Sequence, residues 1–191
     1  KIIPAVIEFV DIAGLVAGAS EGEGLGNKFL ANIRETDAIA HVIRCFENED
    51  ITHVAGKIDP LSDIQTINTE LLLSDLSIVE KSLARLKKLS KTGKKDILAE
   101  LEILEKVEAE LNDGNFLKDI YNENKELLKQ YNFLTTKPFF LILNVADDEV
   151  NGNKYTEEVR VFCKEKNISN IIISANVEYE ISLMNDEEKI E

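Results

Sequence analysis

The sequence predicts an α/β fold, a mostly parallel sheet, into which an antiparallel helical (coiled-coil) domain is inserted. Three observations carry this. Apolar runs of strand length recur at residues 5–10 (AVIEFV), 38–46 (AIAHVIRCF), 139–143 (FFLIL) and 171–174 (IIIS), and near-continuous apolar runs suit strands covered on both faces. Helical patterns separate the first run from the second and the third from the fourth, the alternation that gives parallel sheets. Between the second and third runs lies a long charged stretch with apolar residues at helical spacing.

In chain order, residues 5–10 read as a buried strand leading into a glycine-rich loop. Residues 25–34 place Leu25, Phe29, Leu30 and Ile33 on one helical face, and Thr36-Asp37 ends that helix before the strand at 38–46. Strand, loop, helix and strand in that order predict an α/β unit with a right-handed crossover. Asp59-Pro60 is a helix start, with Asp59 as cap and Pro60 in the first helical position. Ile64, Ile67, Leu71, Ile78, Leu86 and Leu89 form one apolar stripe, Thr92-Gly93 breaks it, and Ile97, Leu101, Leu104, Val107 and Leu111 form a second. Two such helices joined by a short glycine turn fold back on each other. Asn112-Asp113-Gly114 closes the pair, and a shorter helix over 119–131 leads back to the sheet. The strand at 139–143, a helix over 155–166 and the strand at 171–174 complete the α/β part, and the acidic tail 177–191 is expected to be helical. The domain reading is therefore one α/β domain in two segments, 1–60 and 138–191, around a helical insertion at 61–137.

At 191 residues, with 44% hydrophobic and 30% charged residues, the chain has the composition of an ordinary globular protein. A net charge of −14 argues against a broad, sequence-independent nucleic-acid surface, while leaving room for a local basic patch. Cys45 and Cys163 have no metal-ligand spacing and suit a reducing cytoplasm. No segment has the length and apolarity of a membrane span, so no direct membrane contact is expected.

Five of the nine glycines fall between Gly14 and Gly26, directly after the first apolar run. That run ends in Asp11-Ile12-Ala13-Gly14, the Asp-x-x-Gly arrangement by which many nucleotide hydrolases sense a terminal phosphate. In that chemistry Asp11 holds Mg²⁺, and the Gly14 N–H meets the γ-phosphate oxygen, so that the loop tightens or relaxes with hydrolysis. The tetrapeptide alone reads equally well as a strand leaving into a surface loop.

The longer stretch DIAGLVAGASEGEGLGNKFLANIRETDAIAHVIRCF resembles the switch II region of the Obg-like P-loop ATPases, the YchF subfamily of the translation-factor class of GTPases. The resemblance continues through ITHVAGKIDPLSDIQTINTELLLSDL and, more loosely, to the end of the chain. It implies a Ras-like P-loop NTPase G domain interrupted by a helical insertion, with slow intrinsic hydrolysis, tolerance for ATP beside GTP, Mg²⁺ as cofactor, and the ribosome or another translation-related complex as partner. A phosphate-cradling GxxxxGK[ST] is required by that chemistry. The nearest match, GEGLGNK at residues 22–28, lacks the second Gly and the hydroxyl residue. The resemblance therefore places the first strand, the P-loop and switch I before Lys1, and a further small domain after Glu191; these 191 residues alone are expected to be inactive.

The same resemblance assigns the remaining chemistry. Leu15 stands where many relatives carry a glutamine that orients the attacking water, and an aliphatic chain cannot polarise water. His53 is the replacement to consider, since imidazole accepts or relays protons near neutral pH; its other reading is a solvated loop histidine. His41, inside an apolar strand, reads as a satisfied core histidine. Asn144-Val145-Ala146-Asp147 stands where GTPases have Asn-Lys-x-Asp to read guanine. Val145 replaces the Lys and is expected to lie against the base, and Asp147 stands where the subfamily has Glu, leaving both ATP and GTP open with ATP favoured. Ser174-Ala175-Asn176 stands where relatives have Ser-Ala-Lys touching the base. Glu21, Glu23, Asn27 and Lys28 read as loop solvation or helix-start residues.

Two functional readings follow. One is a nucleotide-dependent switch that hydrolyses ATP, or GTP, at the β–γ bond. The other is a non-catalytic, nucleotide-regulated binding module acting through the helical insertion. A dinucleotide-dependent oxidoreductase is disfavoured, because no GxGxxG sits in a βαβ setting with an acidic residue about twenty positions on.

Overall fold

A computed structural model describes residues 6–12, 25–48, 57–185, 187 and 189. The elements are α1 (Leu25–Glu35), β1 (Ile39–Arg44), α2 (Pro60–Leu89), α3 (Lys95–Asn112), α4 (Lys118–Glu123), α5 (Lys125–Leu128), β2 (Phe139–Asn144), α6 (Lys154–Lys166), β3 (Ser169–Ile173) and α7 (Ala175–Leu183). They fall into two compact units. One comprises the described residues of Lys1–Asp37 and Ile67–Lys137, the other those of Ala38–Thr66 and Pro138–Glu191.

The helical unit is built from α1, most of α2, and α3 to α5. Asp59 caps α2 as its sequence predicts, its Oδ1 accepting the Ser62 N–H at 3.1 Å, and the 30 residues that follow give a helix of about 45 Å. The helix ends through a 3₁₀ turn, Ser90–Thr92, and Gly93 adopts φ +69°, a left-handed conformation in which a side chain would be strained. Beyond that turn α3 begins, and the two helices share a core of Val79, Leu83, Leu86, Leu104, Val107 and Leu111, to which Leu117, Leu128 and Phe133 are added. Of the first expected stripe, Ile64, Leu71 and Leu86 are buried, but Leu89 is 42% exposed, and the face actually turned inward runs through Leu71, Asp75, Val79, Leu83 and Leu86. The single helix expected over 119–131 is instead α4, α5 and a 3₁₀ turn; Asn124 interrupts it, its side-chain amide donating to the Ile120 carbonyl at 3.0 Å.

Asp75 is the polar member of that buried face. Its Oδ1 accepts the Leu134 N–H at 3.0 Å and Arg34 at 3.1 Å, and its Oδ2 accepts the Thr135 N–H at 2.8 Å and the Thr135 hydroxyl at 2.9 Å. Arg34 also donates to the Ser74 hydroxyl and the Asn132 carbonyl, while Lys137 Nζ donates to the carbonyls of Arg34 and Thr36 at 3.0 and 2.6 Å. The end of α1 is thereby clamped to α2 and to the connector that leads to β2.

In the second unit three parallel strands lie in the order β1-β2-β3, with Ile43 opposite Leu143 and Leu143 opposite Ile172. Their inner face packs Ile43, Leu141, Leu143 and Val145 against Ile64 at the start of α2 and Val159 and Cys163 on α6. Cys45 and Cys163 are free and buried, and burial pushes the Cys45 thiol up to about 12, so both act as apolar core residues.

Four expectations are corrected. Residues 6–10 form no strand: Val6, Ile7 and Phe9 are 93%, 75% and 83% exposed, so the strand-loop-helix-strand unit is realised only from α1 onward. An apolar run needs a neighbouring strand edge for its backbone groups, and no described strand pairs with this one. The sheet is also not covered on both faces, since Val42 and Ile171 are 58% and 53% exposed. His41 is half-buried against Phe139, but its Nδ1 has no hydrogen-bond partner, so it is not the satisfied core histidine expected. The helical tail is shorter than 177–191, with α7 ending at Leu183.

Candidate functional site

Parallel pairing sets the site. Asn144 is the last residue of β2 and lies opposite Ile173, the last of β3; the Val145 N–H donates to the Ile173 carbonyl at 2.9 Å, so both strands end at one level. The segments leaving them are held together by side chains. Asn144 Oδ1 accepts the Ala175 N–H at 2.9 Å. A 3₁₀ turn over Asp147–Glu149 brings Asp147 back toward β3, where its Oδ1 accepts the Ser174 hydroxyl at 2.6 Å and its Oδ2 accepts the Asn176 amide at 2.7 Å. Those two hydrogen bonds, Ser174 first, hold the Asp147 carboxyl below its ordinary range. Ser174 in turn caps α7, its oxygen accepting the Val177 N–H at 3.3 Å.

Five residues singled out from the sequence, Asn144, Asp147, Ser174, Ala175 and Asn176, thus form one hydrogen-bonded clasp at the carboxyl ends of adjacent parallel strands, where open α/β sheets take their ligands. Val145 belongs to it only through its backbone. Its side chain is 3% exposed and packs in the sheet core, which corrects the expectation that it lies against a base: the pleat that turns Asn144 outward turns Val145 in. Asp11 is exposed, in the segment 6–12 that has no regular secondary structure. Gly14, Leu15 and His53 lie outside the described residues.

A second polar grouping was not read from the sequence. Beside the clasp, a cleft of about 490 Å³ is lined by Glu47, Ala146, Asp148, Glu149, Asn153, Lys154 and Tyr155. Glu47 accepts Lys154 Nζ at 2.8 Å and the Tyr155 hydroxyl at 2.7 Å, which lower its carboxyl, while Asn153 Nδ2 donates to the Cys45 carbonyl at 2.6 Å and to Glu149 at 2.7 Å. The available signal was Asn153-x-x-Thr156, a capping box in which the Thr156 hydroxyl and the Asn153 side chain satisfy each other's backbone N–H. Among the described residues no group of three or more His, Cys, Asp or Glu is arranged to hold a metal ion, and no helix is long and apolar enough to cross a membrane.

Known proteins are similar to this chain. Residues 2–79 match the family model described as 50S ribosome-binding GTPase. The chain is 52% identical to a protein of Haemophilus ducreyi named ribosome-binding ATPase YchF, over all of this chain and 53% of that protein. It is 44% identical to the protein of the same name in Bacillus subtilis, over 99% of this chain and 53% of that one.

The chain belongs to the YchF family.

The structure of the Schizosaccharomyces pombe YchF GTPase matches with a TM-score of 0.76 and 31% identity, over 88% of this chain and 48% of that one. The α/β fold with a parallel sheet is thus that of a YchF GTPase. The chain spans about half the length of the curated YchF relatives it matches.

Proposed function

We propose that the complete protein is a nucleotide-dependent switch of the cytoplasm that hydrolyses ATP at the β–γ bond and acts on the ribosome. The observation that carries this reading is the clasp of Asn144, Asp147, Ser174, Ala175 and Asn176 at the strand ends, in a chain whose relatives are named ribosome-binding ATPases. Nucleotide-binding segments 1–60 and 138–191 around a helical insertion at 61–137 belong to the same proposal.

ATP is preferred over GTP for two reasons. Both Asp147 oxygens already accept hydrogen bonds from Ser174 and Asn176, which leaves them poorly disposed to take the N1–H and N2–H of guanine together. Val145 offers neither the Lys stem nor any exposed surface to the base. Mg²⁺ fits Asp11 in kind, since an exposed carboxylate together with substrate phosphates is its usual donor set. Bound there, the ion would neutralise developing phosphate charge; the Gly14 N–H would register the γ-phosphate, Leu15 would leave water unpolarised, and His53 would accept or relay its proton. Titration of the complete protein with ATP and GTP tests the reading. ATP should bind at least tenfold more tightly, and a preference for GTP would overturn it. The runner-up is a nucleotide-regulated binding module without turnover, favoured by Leu15 alone. Single-turnover measurement separates the two: product formed in proportion to time fits the switch, and nucleotide recovered intact fits the module.

A further inference from the structure

Helix α1 follows directly on the glycine-rich stretch that begins at Gly14, yet it belongs to the helical unit and not to the sheet that carries the clasp. Among the described residues, the apolar core shared by α2 to α5 includes no residue of α1. The bonds that fasten the carboxyl end of α1 are polar. Arg34 Nη1 donates to Asp75 Oδ1 at 3.1 Å and to the Asn132 carbonyl at 2.9 Å, and its Nη2 donates to the Ser74 hydroxyl at 2.7 Å. In return the Asn132 amide donates to the Arg34 carbonyl at 3.0 Å, and Lys137 Nζ reaches the same carbonyl and that of Thr36. Carbonyls that a helix leaves unsatisfied at its end are thus capped from 98 and 103 positions further along the chain.

We infer that Arg34 is the residue through which the phosphate-sensing segment acts on the helical pair. A shift of α1 driven from its amino end passes through Arg34 to α2, at Ser74 and Asp75, and to the connector at Asn132. An 11-residue helix is a rod of about 16 Å, so displacement at one end appears at the other. A planar guanidinium donating to two elements at once holds one register, because hydrogen bonds weaken steeply off line. A helix shift of about 1–2 Å therefore either carries both partners along or breaks the bonds. Breaking them is the less favourable response, since it leaves the buried Asp75 carboxylate without its cation. The inference rests on the nucleotide-switch reading and adds the route by which nucleotide state leaves the site. By reciprocity, whatever binds the helical pair would alter nucleotide affinity through the same residue.

The test uses the complete protein, with amide hydrogen exchange compared between ADP and the non-hydrolysable analogue AMP-PNP. In the parental protein exchange should differ between the two nucleotides at residues 11–26, at 71–79 on α2 and at 129–137 in the connector. Arg34→Gln should keep the difference at 11–26 and reduce the other two by roughly fivefold, with ADP affinity near parental. Ser74→Ala leaves Asp75 paired and should give a smaller reduction in the same two segments, so it carries the test if Arg34→Gln loses helicity. A merely structural role would lower the unfolding midpoint and leave all three nucleotide differences intact, and that result would overturn the inference. A parental response at 11–26 that stops short of 71–79 would also overturn it while leaving the switch reading standing. No response at 11–26 would overturn both.

Discussion

The two compact units treat buried polarity in opposite ways. In the helical unit the most deeply buried acid, Asp75, meets four donors, two on each oxygen, and the apolar core around it is closed. In the sheet unit His41 Nδ1 has no partner, one sheet face carries exposed Val42 and Ile171, and the polar clasp sits at the strand ends. A helix bundle can satisfy its own backbone and enclose its stripe. A three-stranded parallel sheet has two faces, and here α2 and α6 cover one of them. The helical unit is therefore the part to which rigidity is expected to belong, and the sheet unit the part with a polar cluster at its strand ends.

The largest effect that would break this comparison is at Asp75. Replacing it with Leu strands the Leu134 and Thr135 N–H groups and the Arg34 guanidinium, so Asp75→Leu should cost about 3–5 kcal/mol in urea unfolding followed by helicity. A loss below about 1 kcal/mol would mean the clamp is ornamental. Next comes the contrast between cores: Leu104→Ala, at a fully buried position, should cost about 2–5 kcal/mol, whereas Val42→Thr on the open sheet face should change stability by less than about 0.5 kcal/mol. Equal losses would show that the sheet face is covered in solution.

His41 sharpens the comparison through pH. Burial lowers its pKa from 6.5 to about 4, so as pH falls the unfolded chain takes up the proton first. Above pH 6.5 the histidine is neutral in both states and contributes no pH dependence; between 6.5 and about 4 the folded state loses stability, up to a total on the order of 3 kcal/mol. His41→Leu should flatten that part of the acid limb, read from unfolding midpoints at pH 7 and pH 4.5. A limb of unchanged steepness would place the acid sensitivity elsewhere.

What was legible in the sequence follows the same division. The helical pair announced itself through stripes, a cap at Asp59 and a glycine turn, all local signals. Asp75 was not legible, because a lone carboxylate between Ser74 and Leu76 reads as solvent-facing until Leu134 and Thr135, about sixty residues on, bring their N–H groups to it. The clasp was legible as two short motifs after apolar strands, since parallel pairing levels their ends. Its internal hydrogen bonds and the inward turn of Val145 needed the register. Residues 6–10 have the composition of a buried strand, but composition does not supply the neighbour that pairs with it.

The smallest effect concerns Asn153, which does two things at once. Its Oδ1 caps α6 by accepting the Tyr155 and Thr156 N–H groups, both at 3.0 Å, and its Nδ2 ties the end of β1 to Glu149. Asn153→Ala removes both and should cost about 1–2 kcal/mol. Asn153→Asp keeps the cap but loses both donors and sets a second carboxylate against Glu149, so its cost measures the tie separately and should shrink as pH falls below the carboxylate range. If Asp proves as stable as Asn at pH 7, the link from Asn153 to Cys45 and Glu149 contributes nothing. The cleft beside the clasp would then be held by α6 packing through Val159 and Cys163, in the manner of the helical unit, and the contrast between the two regions would narrow.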